Sequence, residues 1–201
     1  MDLSGLTWAF VLVGYFLGGV PFGIVISKAM GLQDQRTVGS KNVGFTNVLR
    51  VSGKTAGILT LIGDMGKGWL MGYAGSVWYQ TEWAVLVIAL APFLGHLFSP
   101  FLGFKGGKGV ATALGSVLGV APLIGLLLLL TWVGAVAVWR YSSGGALAAF
   151  GLFPIMAALI HPTGPFLIFS LFVTGLIVVK HKDNILRLMQ GTENKIGQRK
   201  T

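Results

Sequence analysis

The sequence predicts an all-α integral membrane protein with about seven transmembrane helices, its N-terminus outside and its C-terminus in the cytoplasm. Three observations support this fold class. The 201 residues are 54% hydrophobic and only 10% charged, with a mean hydropathy of +0.78, whereas a soluble domain carries roughly 25% charged residues. Long stretches without a charged residue recur along the chain. When these stretches are taken as membrane helices, almost all Lys and Arg residues fall on one side of the membrane.

The composition also excludes several classes of protein. A disordered chain needs low hydrophobicity, which this sequence lacks. The net charge is +9, but apolar segments separate the cations, so no nucleic-acid partner is expected. Cysteine is absent, which removes disulfides, thiolate zinc sites and a cysteine nucleophile. We expect a single transmembrane domain over residues 1–201, surrounded by membrane lipids.

Charge-free windows locate most of the helices, because a transmembrane helix needs about 20 mostly apolar residues. Four windows reach this length: 3–27, 83–104, 109–139 and 141–179. The last two are too long for one span and divide at Pro122 and at 161–165, because proline lacks an amide hydrogen and disfavours helix just before it. Residues 55–77 are apolar apart from Asp64 and Lys67 and form one further helix.

Seven helices result from these divisions. They cover residues 4–28, 55–77, 83–101, 107–120, 122–140, 143–160 and 164–180. With this count, 14 of the 15 Lys and Arg residues lie on one side of the membrane, and the positive-inside rule makes that side cytoplasmic. No basic region precedes the first segment, so we expect a retained helix there and not a cleaved signal peptide.

Two features inside the predicted helices concern their packing. Glycine pairs spaced by four residues let helices approach closely in lipid. Examples are Gly14/Gly18, Gly19/Gly23 and Gly68/Gly72. Asp64 and Lys67 lie three residues apart on the second predicted helix and can pair on one face. An ionisable pair within a membrane is either a functional site or a structural ion pair, and the sequence leaves both open.

Three polar segments, at 39–50, 95–112 and 181–193, all fall on the predicted cytoplasmic side, where they can form one site. They contain many glycines and hydrogen-bond donors but few carboxylates. The donor side chains are Ser40, Asn42, Thr46, Asn47, Arg50, Lys105, Lys108, His181 and Asn184. Donors and cations beside glycines suit a phosphate-bearing anion. They do not suit Mg²⁺ or Ca²⁺, which prefer several oxygen ligands, so no metal is expected.

These segments resemble the three motifs of the PlsY family, the bacterial membrane glycerol-3-phosphate acyltransferases that use acyl phosphate. The first motif has the form G-S-x-N-x-G-x-T-N-x-x-R, found at 39–50. The second resembles G-H-x-F-…-F-L-x-F-K-G-G-K-G-V-A-T, found at 95–112, and the third H-[RK]-x-N-I-x-R-L-…-G-x-E, found at 181–193. The resemblance spans nearly the whole chain in order. The chain departs from the family around Lys41, whose role stays open, and at Ser99.

The resemblance implies an enzyme that moves a fatty acyl group from acyl phosphate to the 1-hydroxyl of glycerol 3-phosphate. The products would be lysophosphatidic acid and phosphate, in phospholipid biosynthesis. It implies a multi-pass protein of the bacterial cytoplasmic (inner) membrane, with its active site on the cytoplasmic side. Acyl phosphate is already activated, so no cofactor is expected.

The resemblance also implies roles for residues, with Ser40, Arg50, His181 and Asn184 among those needed for activity. We expect Ser40 to donate a hydrogen bond and not to become acylated. Arg50 would hold a phosphate bidentately. His181 would be a general base, or it would only bind phosphate while a substrate phosphate oxygen takes the proton.

The remaining predicted site residues bind substrate. Asn42, Thr46 and Asn47 supply donors, Lys105 and Lys108 supply charge, and Gly106, Gly107 and Gly109 supply backbone N–H groups. Glu193 is expected to fix the C-terminal segment by bonding a loop. A small transporter for phosphorylated solutes is the main alternative, and a noncatalytic scaffold is a third. The external loops are poor in polar groups and no internal repeat is visible, which disfavours the transporter.

Overall fold

The computed structural model describes residues 5–197, which form ten α-helices and a short 3-10 turn and contain no strand. The chain divides into two compact units, one up to Pro122 and one from Leu123 onward. The first unit contains α1 (Gly5–Gly19), α2 (Phe22–Ala29), α3 (Phe45–Ser52), α4 (Lys54–Trp78), α5 (Glu82–Leu97), the 3-10 turn Pro100–Leu102 and α6 (Val110–Val120). The second contains α7 (Pro122–Trp139) apart from its first residue, α8 (Ser142–Ile160), α9 (Gly164–Lys180) and α10 (Lys182–Met189).

The prediction of a single first helix over residues 4–28 is wrong. Its start, residue 4, lies outside the described residues, and the remainder forms two helices, α1 and α2, bent by 48° at Val20-Pro21. Proline cannot donate the hydrogen bond that would continue the helix, and its ring crowds the preceding turn. The charge-free window was continuous, so the break left no signal in the charge pattern.

Four other predicted helices match α4, α7, α8 and α9 to within one residue, including the division at Pro122. The predicted third helix ends earlier, at Leu97 and not at 101, and the predicted fourth begins later, at Val110 and not at 107. Gly109, with φ +78°, adopts the left-handed conformation just before α6, which separates the glycine-rich segment from the helix. The short helices α3 and α10 were not predicted.

Among the described residues, three helical segments are long and apolar enough to cross a membrane. They are Glu82–Leu102, Pro122–Trp139 and Ser142–Ile160. Up to five crossings result if each bent pair, α1 with α2 and α9 with α10, is one span. The count of seven crossings and the sidedness of the termini stay predictions.

Backbone atoms of α4 and α6 are in direct contact in the first unit. Gly68 and Gly72 on α4, and Gly115 and Gly119 on α6, each lie against backbone atoms of the other helix. A Cβ at Gly68 would overlap the carbonyl oxygen of Thr112. In lipid such small residues permit the close packing that drives helix association, so the interpretation of Gly68/Gly72 as a packing pair is confirmed.

Phenylalanines fill the space between α8 and α9 in the second unit. Phe153 of α8 lies edge-on to Phe150, Phe166 and Phe169, with ring centroids 5.9–6.2 Å apart. Edge-to-face rings are a favoured arrangement of aromatic pairs. Thr174 on α9 adds a hydrogen bond of 2.8 Å to the carbonyl of Phe150. This core supports α9, whose C-terminal end carries the third motif.

The segment after α10 is tied to the corner between α7 and α8. The N–H of Ile196 donates to the carbonyl of Arg140 at 2.7 Å, and the Arg140 guanidinium donates to the carbonyl of Ile196 at 3.0 Å. The Lys195 ammonium lies 5.5 Å from the ring centroid of Tyr141. These contacts hold residues 195–196 against the same corner from which α8 begins.

Glu193 is the central acceptor of this segment. Its Oε1 accepts from Ser143 at 2.7 Å and from Asn184 at 2.6 Å, and its Oε2 accepts from Arg187 at 2.7 Å. Burial raises the pKa of the Glu193 carboxyl, but these hydrogen bonds and the Arg187 charge outweigh it, so the pKa lies below its usual value. Glu193 therefore fixes the C-terminal segment as expected, although it does so by bonding helices and not a loop.

We predict that Gly68→Ala destabilises the protein and that Gly66→Ala, on the same helix, does not. A methyl at Gly68 meets the α6 backbone, and overpacking of this kind costs about 1–3 kcal/mol. A methyl at Gly66 meets nothing within 4 Å, and alanine there gains up to about 1 kcal/mol of helix propensity. Thermal unfolding of both variants in detergent measures the difference. Equal unfolding temperatures would contradict the backbone contact.

We predict that Glu193→Gln lowers the unfolding temperature at neutral pH and that the deficit shrinks in acid. The folded-state pKa of Glu193 is below the ordinary value of 4.5. Its stabilising contribution is therefore full above that value and is lost as the pH falls through the folded-state pKa. Thermal unfolding between about pH 7 and about pH 4 tests this. Asp183→Asn, which removes an exposed carboxyl on α10, is the control and should leave the unfolding temperature nearly unchanged.

Candidate active site

The first motif folds around the buried side chain of Asn47. Its Nδ2 donates to the carbonyls of Gln35, Val38 and Asn42 at 3.2, 3.2 and 2.9 Å. Its Oδ1 accepts the N–H of Ser40 at 2.9 Å. These bonds use both the donor and the acceptor of the amide within the loop. The prediction that Asn47 binds substrate is therefore corrected, since Asn47 holds the loop that carries Ser40.

Ser40 lies exposed between two residues with left-handed backbone, Gly39 at φ +63° and Lys41 at φ 58°. Glycine suits the first of these positions because it has no Cβ. Lysine is unusual at the second, where a Cβ is unfavourable. The two turns present Ser40 at the tip of the loop, and the hydrogen bond that its N–H donates to Asn47 Oδ1 sets its position.

Helix α3 carries the other polar residues of the first motif. Just before it, Asn42 Oδ1 accepts the N–H of Gly44 at 2.9 Å, a local turn in which the Asn side chain shapes the chain's entry into the helix. Thr46 and Arg50 lie four residues apart on α3 and are both half-buried. Residues at this spacing share a helix face, so the hydroxyl and the guanidinium belong to one surface.

The glycine-rich segment of the second motif runs back along the end of α5. The N–H of Gly106 donates to the carbonyl of Leu97 at 3.2 Å, and that of Gly107 donates to the carbonyl of His96 at 3.1 Å. The last carbonyls of a helix have no partner within it, and the segment satisfies two of them. The expectation that both N–H groups face a phosphate is corrected, because these groups already bond α5.

The cations of the second motif flank this glycine pair. Lys105 is exposed and Lys108 is half-buried. Gly109 then leads into α6, whose first N–H groups point out of the helix end. A helix N-terminus attracts anions, so two lysines and the start of α6 are the elements that can bind a phosphate here.

The first two motifs pack against the break between α1 and α2. In the second motif, Ser99 Oγ donates to the carbonyl of Gly19 at 2.6 Å. In the first motif, the carbonyl of Val43 packs directly on Gly23. These two contact points are only four positions apart in the sequence, so the break fixes both motifs in the same region of the first unit.

An ionic cluster lies beside the same break; we call Asp64, Lys67 and His96 the α4–α5 cluster. Lys67 Nζ lies 2.8 Å from Asp64 Oδ1, with both side chains at most 2% exposed. It donates to the carbonyl of Val20 at 2.9 Å and lies 3.0 Å from His96 Nδ1. The three N–H groups of the ammonium thus have one acceptor each. The pair therefore links α4, α5 and the break between α1 and α2.

The third motif lies in the second unit, where α9 meets α10. His181 is 2% exposed, and its Nδ1 lies 2.8 Å from the carbonyl of Ile177. A carbonyl only accepts, so Nδ1 carries a proton and the lone pair of the neutral ring is on Nε2. Asn184 is also buried, and its bond to Glu193 fixes its orientation. The third motif therefore presents an oriented imidazole beside an oriented amide.

The sequence did not predict that His96 would lie beside Asp64 and Lys67. His96 stands in the last turn of the apolar helix α5 and is 6% exposed. An ionisable side chain on a membrane helix needs a partner, and this rule could have paired it with the two charges on α4. The sequence did not show which of the three histidines would lie near them.

Comparisons with known proteins agree with these motifs. Residues 8–191 match the protein family described as "Glycerol-3-phosphate acyltransferase". A protein of that name from Methylobacillus flagellatus is 45% identical over 190 residues, covering 94% of this chain and 97% of the relative. Another, from Methylococcus capsulatus, is 44% identical over 193 residues, covering 96% and 98%.

Solved structures are similar over the same length. Two are crystal structures of PlsY, described as an integral membrane glycerol 3-phosphate acyltransferase. Its glycerol 3-phosphate form has a TM-score of 0.92 and 37% identity, and its lysophosphatidic acid form a TM-score of 0.89 and 36% identity. Both alignments cover 96% of each chain. This chain therefore belongs to the glycerol-3-phosphate acyltransferase family of PlsY, and it is an all-helical integral membrane acyltransferase of phospholipid biosynthesis.

Proposed function

We propose that the chain transfers a fatty acyl group from acyl phosphate to the 1-hydroxyl of glycerol 3-phosphate. The observation that carries the proposal is the similarity to PlsY in two forms, one with glycerol 3-phosphate and one with lysophosphatidic acid. Lysophosphatidic acid is glycerol 3-phosphate acylated on one hydroxyl. The two forms therefore correspond to an acceptor before and after transfer.

The reaction exchanges one acyl–oxygen bond for another. The hydroxyl oxygen of glycerol 3-phosphate bonds to the acyl carbon, the bond from that carbon to the phosphate oxygen breaks, and inorganic phosphate leaves with its electron pair. The hydroxyl proton goes to His181 Nε2 or to a phosphate oxygen. Acyl phosphate is a mixed anhydride and is already activated, so the proposal requires no cofactor or metal.

Cations and a helix end would bind the phosphate groups. Arg50 has the planar fork that binds phosphate bidentately, and Thr46 on the same face of α3 would add a hydroxyl. In the second motif, Lys105 and Lys108 would contribute point charges beside the N-terminus of α6. With their N–H groups bonded to α5, Gly106 and Gly107 act by letting the loop lie close to that helix, and Gly109 acts by its left-handed turn.

Ser40, His181 and Asn184 would act at the acyl group and its acceptor. Ser40 lies exposed at a loop tip, where its hydroxyl can donate to a substrate oxygen. His181 Nε2 would take the hydroxyl proton, or would bind phosphate when protonated. Asn184 and Asn42 would contribute polar contacts, and Asn47 would act only by holding the first motif.

We place this site on the cytoplasmic side of the bacterial inner membrane, in one domain with seven crossings. The support is the charge distribution: 14 of the 15 cations lie on one side under that topology, as the positive-inside rule requires of the cytoplasmic side. A site at the cytoplasmic ends of the helices is accessible to acyl phosphate from the bilayer and to glycerol 3-phosphate from the cytoplasm.

The experiment that tests the proposal uses purified protein, acyl phosphate and glycerol 3-phosphate. We expect lysophosphatidic acid and inorganic phosphate in equal amounts, without added metal or coenzyme. Product formation from acyl-coenzyme A but not from acyl phosphate would overturn the choice of donor. Solute flux into sealed vesicles with no acylated product would overturn the enzymatic function.

We predict that Arg50→Lys raises the KM for a phosphate substrate by about tenfold or more, because charge-assisted hydrogen bonds contribute about 1.5–3 kcal/mol. Lysine keeps the charge but loses the bidentate fork. Arg36→Lys is the matched control, since Arg36 is exposed and pairs only locally with Asp34, two residues away. Steady-state kinetics of both variants measure the effect, and equal KM values would argue against a phosphate contact at Arg50.

We predict that His181→Gln lowers kcat by about 10²-fold or more, as loss of a general base does. The pH profile of the variant shows where the proton goes. If His181 is the base, the acid limb of the kcat profile disappears in the variant. A retained limb with a raised KM would assign the proton to a substrate phosphate and leave His181 a binding role. Thermal unfolding of the variant confirms that it is folded.

A further inference from the structure

We infer that the α4–α5 cluster positions the glycine-rich loop 105–109 and so sets the affinity for a substrate phosphate that the cluster does not touch. Asp64, Lys67 and His96 act here as positioning residues. The inference rests on the proposed function, in which this loop binds phosphate through Lys105 and Lys108.

Burial makes the geometry of the cluster strict. The side chains of Asp64 and Lys67 are 2% and 1% exposed, and that of His96 is 6% exposed. A buried charge that loses its partner is strongly unfavourable, so each group is confined to the position where it meets the others. The Lys67 ammonium meets Asp64 Oδ1, His96 Nδ1 and the carbonyl of Val20 at 2.8–3.0 Å. An ammonium fixed at three points transmits a displacement of any one partner to the other two.

One of these points is the helix break itself. In a continuous helix the N–H of Ile24 would bond the carbonyl of Val20, but it bonds the carbonyl of Pro21 at 2.9 Å. The carbonyl of Val20 accepts instead from Lys67 and from the N–H of Phe22 at 3.1 Å. The Phe22 ring lies 5.6 Å from the same ammonium. Lys67 therefore fixes the position of α4 relative to the break, and the same break contacts the first and second motifs.

The other point, His96, is in direct contact with the loop. Its backbone carbonyl accepts the N–H of Gly107 at 3.1 Å. Its ring occupies the place where a side chain at position 107 would lie, with Nε2 nearest. Because an ammonium has no acceptor capacity, Nδ1 accepts from Lys67, and the ring proton is on Nε2. The ring is thus held at one edge by Lys67 and supports Gly107 at the other.

Gly107 lies between the two lysines of the loop. A shift of the His96 ring moves Gly107 and therefore changes where Lys105 and Lys108 present their charges. Misplacement of a binding group by about 1 Å can cost up to about 10²-fold in activity. The cluster therefore acts on the substrate through a path of packed atoms from Asp64 to Lys67, His96 and Gly107.

The test compares His96→Asn with Lys105→Met in the purified, full-length protein. Asparagine keeps an acceptor near Nδ1 for Lys67 but leaves the space under Gly107 empty. Lys105→Met shows which substrate the loop binds. The KM of that substrate, either acyl phosphate or glycerol 3-phosphate, should rise in this variant. We expect His96→Asn to raise that same KM about tenfold with kcat changed less than about threefold. In the double variant the two effects should fall short of additive, because both act through one loop.

Thr60→Val is the matched control. Thr60 is buried on α4, one turn before Asp64, and its hydroxyl bonds the carbonyl of Ala56 in its own helix at 2.8 Å. Its loss should leave both KM values unchanged. A second variant, Asp64→Asn with Lys67→Met, removes the ionic anchor while keeping the His96 ring, and it should raise the same KM as His96→Asn.

The possible outcomes separate the two proposals. If Lys105→Met leaves both KM values unchanged, the proposed role of the loop fails. If Lys105→Met raises one KM and neither cluster variant does, the positioning role alone fails. Fully additive effects in the double variant, or unfolding of both cluster variants in a thermal assay, would make the cluster a general stabilising element and overturn the inference.

Discussion

The hydrogen bond from Lys67 to the carbonyl of Val20 is the interaction on which the first unit depends. A membrane helix satisfies its backbone internally, and a break within it leaves polar groups that lipid cannot solvate. The break at Pro21 is possible because α4 supplies an ammonium 2.9 Å from the freed carbonyl. That ammonium is in turn neutralised by Asp64 within its own helix. A charge pair that is costly in a membrane thus stabilises a bend that a purely apolar bundle could not hold.

The bend has consequences for both motifs of the first unit. It turns α2 away from α1, and Gly23 on α2 then receives the backbone of Val43 from the first motif. On the other side of the bend, Gly19 receives Ser99 from the second motif. Glycine suits both places because the Val43 carbonyl at Gly23, and the Pro100 and Phe101 side chains at Gly19, lie where a Cβ would be. The sequence pairs Gly19 and Gly23 at small-residue spacing, and in the structure both glycines contact segments of the first two motifs.

Charge-free windows and proline positions predicted most helices because these are local properties of the chain. The division at Pro122 is an example, since a window of 31 residues cannot be one span. The break at Pro21 was missed because a window of ordinary length gave no reason to divide it. The sequence also shows which residues can donate hydrogen bonds, but it does not show which groups accept them. Asn47 and Gly106, for example, bond other parts of the protein. Which acceptor a donor finds depends on contacts between distant segments, and one sequence does not give them.

The division of polar groups between structure and substrate follows from burial. Asn47, the most buried donor side chain of the first motif, is 2% exposed and makes its hydrogen bonds within the loop. Ser40, which bonds it, is exposed. The second motif repeats the pattern, with the N–H of Gly107 bonded to α5 and Lys105 exposed. An unsatisfied buried donor costs about 1–3 kcal/mol, so in an enzyme that must fold without its substrate the buried donors need protein partners. The exposed cations and hydroxyls are hydrated until a phosphate binds. The substrate-binding residues of such a site are therefore best sought at its solvent-accessible edge.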